Sequence, residues 1–207
     1  MKNKHLFIAI SILFTTVSCS PSSENESQDA SIDANNSSIT ETTEKYKEIG
    51  LEYASSTQQV LGKNLIQAMG EGGVSHALSF CNIHALSLTD SMSQQHSAFI
   101  KRVSDLPRNP NNQANAKELE EIDYFKRLIS EGKSGTEIQP NINIKGNQVH
   151  FYSPILTHEM CLTCHGSKDK DVSPETIAAL STLYPNDKAL DYNSNEVRGI
   201  WSIVFEK

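Results

Sequence analysis

The sequence predicts an α+β fold, with helices gathered in the first half of the ordered region and strands in the second. Three observations carry this. Apolar residues step by three or four between Tyr46 and Met92, and again between Ala114 and Ser130. After Asn141, β-branched and aromatic residues cluster in short runs. Glycine, proline and asparagine punctuate the boundaries between these segments. The simplest packing for that order is an antiparallel sheet covered by the helices.

The first 18 residues read as a secretory signal. Lys2 and Lys4 make a basic start, and the apolar run Leu6 to Leu13, broken by Ser11, is too short to span a bilayer. Thr16-Val17-Ser18-Cys19 resembles a bacterial lipobox, which predicts Cys19 as the lipidated first residue of the mature chain. Ordinary cleavage near Ser18 or Ser20 is the alternative. The expected location is the bacterial periplasm or cell envelope, with membrane attachment through lipid on Cys19. Residues 19–45 are polar, with Ile32 and Ile39 as the only large apolar side chains, and are expected to form a disordered tether. Loss of Lys2 and Lys4 takes the net charge from −7 to −9, which argues against nucleic acid as a partner. Residues 46–207 suffice for one domain.

Within that domain a first helix is expected from Tyr46 to Met69, carrying Ile49, Tyr53, Val60, Leu61 and Leu65 at helical spacing. Gly70, Gly72 and Gly73 end it. A second runs from about Val74 to Met92, with Leu78, Cys81, Ala85 and Leu88 on its apolar stripe. A strand over Ala98 to Val103 leads to a loop rich in proline and asparagine, Asp105 to Asn112. The third helix spans about Ala114 to Ser130, with Leu119, Ile122, Phe125, Leu128 and Ile129 inward and Gly132 and Gly135 closing it. Ile142 to Ile144 and Val149 to Tyr152 flank Lys145-Gly146-Asn147-Gln148 as a hairpin, and Pro154 is expected to end its second strand. Ser173 and Pro174 start a short helix to about Leu183. Arg198 to Phe205 is the last strand.

Cys161-Leu162-Thr163-Cys164-His165 lies in the loop after the hairpin. Two cysteines separated by two residues, followed directly by histidine, are the attachment signature of one c-type haem. Each thiol can form a thioether with one vinyl group, and the imidazole can bind the iron as proximal ligand. In a cytosolic chain the same spacing is often a zinc or redox site, and the export signal is what favours haem here. The chain has four cysteines. Cys19, Cys161 and Cys164 are accounted for, and Cys81 remains. Its place on the apolar stripe suits either a small buried hydrophobe or a second axial ligand. His84, one turn on, is the rival ligand; Met92 and His96 are further candidates, and His76 points off this face. Spacing leaves the choice open. Arg102, Arg108 and Arg198 are either partners for haem propionates or plain surface arginines. A Cys₃His zinc site built from Cys81, Cys161, Cys164 and His165 is a non-haem alternative. No nucleophile–base or carboxylate pair is placed by spacing, so an enzyme is not expected.

Several segments together carry a resemblance. They are Phe80-Cys81-Asn82, the loop Leu106 to Asn112, Phe151 to Ile155 before Cys161 to Gly166, Tyr184 to Ala189, and Arg198 to Ser202. From about Tyr46 onward the chain resembles the DUF3365, or Tll0287-like, family of exported c-type haem proteins. The resemblance implies a PAS-like fold around the haem, a sensor role, and a Cys/His axial pair whose cysteine corresponds to Cys81. Leu86, where many relatives have proline, is a small departure. A thiolate, Fe(III) and a porphyrin dianion sum to zero core charge, so thiolate ligation favours Fe(III) and a low potential. The expected function is thus a redox or gas (NO or CO) sensor whose output passes through a signalling partner. A periplasmic electron-transfer cytochrome is the alternative.

Overall fold

The computed structural model describes residues 26–207. The signal segment and Cys19 lie outside the described residues. The chain divides into two compact units, Met1–Ile39 and Thr40–Lys207, and the sheet and packed core belong to the second. The fold is α+β, with four α-helices and one four-stranded antiparallel sheet among the described residues.

Helix α1 (Glu26–His96) is interrupted at Gly72 and Gly73, where Gly73 takes φ 71°. That left-handed conformation is cheap only for glycine. The break turns the chain back on itself, so that Tyr53 stacks on the His96 ring at 3.9 Å and Ser56 Oγ lies 2.9 Å from His96 Nε2. The two helices expected from the sequence are the two arms of this hairpin. The backbone of residues 26–45, expected from composition as a tether, is helical. No glycine or proline interrupts the chain between Glu26 and Ile49, and a nucleated helix extends at one hydrogen bond per residue.

The second arm ends at His96, where Ser97 takes φ 51° and the Ala98 N–H donates to Ser93 O at 3.1 Å. Strand β1 (Phe99–Val103) follows. Helix α2 (Ala116–Ser130) opens with a capping box between Asn115 and Glu118. Then come β2 (Asn141–Lys145) and β3 (Gln148–Leu156), the short helix α3 (Glu159–His165), α4 (Pro174–Leu183) and β4 (Val197–Glu206). Ser173 Oγ caps α4 by accepting from the Thr176 N–H at 3.1 Å.

Strand order is β1-β4-β3-β2. Pro154 does not end β3; it pairs with Ile200 of β4. The pairing with β2 stops at Tyr152, so a residue without an N–H sits where one edge of the strand has no partner.

The sheet has two buried faces, as the period of two requires. Val149, Phe151, Trp201, Ile203 and Phe205 pack with Ala54 and Met92 of α1. Tyr152, Val197 and Ile200 pack with Ile122 and Phe125 of α2 on the other side. A third cluster joins Leu78 of α1 to Leu180 and Tyr184, and Cys164 packs against it. That cluster brings α3 and α4 against the second arm of α1 and positions the site.

Candidate functional site

A cavity of about 380 Å³ opens between the arms of α1, the sheet and α3. Leu61 and Leu65 from the first arm, Leu78 from the second and Trp201 from β4 give it apolar walls. Cys161, Cys164 and His165 line it from one side and Cys81 from the second arm of α1.

The segment expected as a loop is instead the helix α3. At i and i+3, Cys161 and Cys164 share one face of that helix, so both thiols address the same volume. Gly166 follows, where a Cβ would come within 2.7 Å of Leu162 O. No larger residue fits between α3 and the returning chain.

His165 Nδ1 lies 2.8 Å from the carbonyl oxygen of Ala189. A carbonyl only accepts, so Nδ1 carries the proton and Nε2 keeps its lone pair. Burial first, then the charges of Arg108 and Arg198, hold the imidazole pKa well below its ordinary value. The ring is therefore neutral, the form that binds a metal. Arg198 Nε stands 3.4 Å from the same nitrogen, a contact of charge beside the shorter bond.

The rival ligands from the α1 region lie elsewhere. His84 is exposed beside Phe80, with ring centroids 4.8 Å apart. His96 is engaged by Tyr53 and Ser56, and Met92 is packed in the core under the sheet. His76 is exposed, 3.6 Å from Glu71. Cys81 alone among these five lines the cavity. Burial pushes its thiol pKa up, and Arg102 is the largest charge opposing that shift. The Cys164 thiol is likewise pushed up by burial, against a contact from Thr163 and the charge of Arg108.

None of the three arginines is a plain surface residue; all three line the cavity. Arg108 is held by three fixed partners. Its Nε donates to Asp187 Oδ2 at 3.0 Å, and one Nη donates to Cys164 O at 2.5 Å and Ala189 O at 3.2 Å. Arg198 donates to Ser104 Oγ at 2.9 Å and Leu106 O at 3.2 Å. Arg102 differs: its Nε is buried with no hydrogen-bond partner. Sequence reasoning missed Asp187 and the Ala189 carbonyl as parts of the site. Only the resemblance of the Tyr184–Ala189 segment touched them, because a backbone acceptor leaves no signature in residue types.

Among the described residues, no group of three or more His, Cys, Asp or Glu side chains stands close enough to hold a metal ion. The Cys₃His zinc alternative therefore lacks its cluster. The residues do fit a covalently held haem. Two thiols on one helix face, a neutral imidazole with Nε2 free, an apolar wall and a buried cation lacking an anion are what a porphyrin with two carboxylates requires.

A family model named Tll0287-like matches residues 24–205. Among solved structures, one described as the crystal structure of the cyanobacterial heme-protein Tll0287 superposes with a TM-score of 0.54 at 19% identity. The match covers 76% of this chain and 94% of that one, and it supports the same fold. Comparison with curated proteins finds no match. With the family model spanning nearly all of the described residues and a solved member sharing the architecture, the chain belongs to the Tll0287-like family.

Proposed function

We propose that this chain is an exported, lipid-anchored, mono-haem c-type cytochrome that acts as a redox or gas sensor through a partner protein. One observation carries the reading: Cys161, Cys164, His165 and Cys81 line a single, mostly apolar cavity. The solved relative is described as a heme-protein, which agrees with it.

In this reading Cys161 and Cys164 would hold the haem, each thiol adding across one vinyl group to give a thioether. His165 offers Nε2, its tautomer held by the Ala189 carbonyl. Cys81, on the second arm of α1, would supply the further ligand, and Arg102, whose Nε has no partner, would pair with a propionate carboxylate. When bound, haem would supply an iron centre able to exchange one electron and to take a diatomic gas such as NO or CO. Cys81 as thiolate would add a negative charge to an apolar site, which disfavours the reduced state. The leader and Cys19 support export and lipid anchoring.

Electron transfer without sensing is the second reading. Met160 is 48% exposed and Cys161 is half-buried, so the attachment side of the cavity reaches the surface. Fast self-exchange with no ligand binding by the reduced protein would favour it.

The test is an absorption and EPR spectrum of the chain matured with a cytochrome c attachment system, beside Cys81→Ser and His84→Ala. Low-spin thiolate signals lost only in Cys81→Ser support the assignment. Their loss in His84→Ala alone sinks it.

A further inference from the structure

We infer that Arg108 and Asp187 form a charged clamp that sets how strongly the proximal histidine is hydrogen-bonded, and so tunes the haem. The inference rests on the haem reading above. Its physical basis is one shared acceptor. The Ala189 carbonyl accepts from His165 Nδ1 at 2.8 Å and from an Arg108 Nη at 3.2 Å. Two donors on one oxygen compete for its electron density, and the second donor is a cation.

Asp187 holds both ends of this arrangement. Its Oδ2 accepts from Arg108 Nε at 3.0 Å, and its Oδ1 accepts from the Ala189 N–H at 2.8 Å. The pair is desolvated, with side chains 10% and 7% exposed. The same Arg108 Nη also donates to Cys164 O at 2.5 Å, so the guanidinium bonds to α3 and to the Ala189 turn together. Two separate stretches of chain, that of Arg108 and α3, thus converge on the one carbonyl that the imidazole uses.

The sign follows from the chemistry. A stronger Nδ1–H···O bond makes the imidazole more basic and favours oxidised iron. Arg108 weakens that bond by drawing on the same oxygen, and its charge acts in the same direction. Arg108 is therefore a positioning residue that raises the reduction potential, and Asp187 moderates it by neutralising the guanidinium.

The experiment uses the full haem-bearing chain and two readouts: the one-electron midpoint potential, and the proton resonance of His165 Nδ1–H in the reduced protein under CO, where the iron is diamagnetic. Arg108→Gln is expected to lower the potential and move the resonance downfield. Asp187→Asn should shift both the opposite way. Arg102→Gln removes a cation from the same cavity without touching Ala189, so it should lower the potential and leave the resonance in place. Arg108→Lys should restore part of both shifts. A resonance unmoved in Arg108→Gln overturns the proposal while leaving the haem reading intact. If Arg108→Gln fails to mature, an unmoved resonance in Asp187→Asn overturns it instead. A wild-type chain that matures without covalent pigment overturns the haem reading, and the clamp with it.

Discussion

Gly50 sits against the ring of Phe151, so close that a Cβ on the glycine would stand 2.2 Å from Phe151 Cδ2. This is where the first arm of α1 beds onto the sheet, and Phe151 is fully buried there. Gly50→Ala gains about 1 kcal/mol of helix propensity, against a cost of about 1–3 kcal/mol for overpacking the ring, and a Cβ at 2.2 Å puts it toward the upper end of that range. The variant is expected to be less stable by urea unfolding. Phe151→Leu in the same chain should recover part of the loss, and strictly additive losses would show that the contact is not the cause.

Glu118 is the more deeply buried of two buried carboxylates on α2, 2% exposed against 7% for Glu121. Its oxygens accept from the Asn115 N–H and from Ser202 Oγ, each at 2.9 Å, and it pairs with Lys101 at 3.0 Å. Glu118→Ala removes half of a capping box and leaves Ser202 without its acceptor, for a loss of about 2 kcal/mol. Glu118→Gln should lose less, since its amide oxygen can still accept. Equal losses for both variants by chemical denaturation would contradict this.

The proposed attachment assigns one thioether to Cys161 and one to Cys164. Either Cys161→Ser or Cys164→Ser should keep one thioether, so the pigment survives acid–acetone extraction with a shifted absorption band. The double variant should release it entirely. Pigment retained by the double variant would place the bond elsewhere.

His165 makes the haem-free chain acid-sensitive. Its pKa in the fold is held well below the ordinary 6.5 by burial and by Arg108 and Arg198. The unfolded chain therefore takes up a proton that the folded one refuses, and stability present above about pH 6.5 is lost as the pH falls. The urea midpoint of chain made without haem attachment should drop from pH 7.5 to 5.5, and His165→Gln should flatten that slope. An unchanged slope would mean that other groups dominate.

Arg102 carries the cavity's uncompensated donor. In the haem-free chain, Arg102→Met should be neutral or mildly stabilising, because it removes a buried cation whose pKa is already lowered by burial. In the haem-bearing chain the same change should destabilise by about 1–3 kcal/mol if a carboxylate has come to depend on it. Thermal unfolding of both forms separates the two cases.

Much of the fold was legible in the sequence. All four strands fell where β-branched and aromatic runs put them, and the glycines at 70–73 marked the turn between the arms of α1. The departures have physical reasons. Pro154 continues a strand because its outer edge has no neighbour, and pairing partners are invisible to a local pattern. The polar run at 26–45 is helical because continuation from Tyr46 needs no apolar face of its own. CxxCH was read as a loop, yet its spacing of three is also one helical turn.

By itself the sequence determined the order of helices and strands, the thiol pair with its adjoining imidazole, and the polar leader-side segment. These are local matters, written in periodicity and spacing. The tertiary structure decided that Cys81 faces the cavity while His84 faces solvent, that Arg108 is consumed by Asp187 and two carbonyls, and that Arg102 is left unpaired. Those outcomes depend on which distant backbone oxygens arrive beside which side chains, and chain order carries no record of that until the layers close.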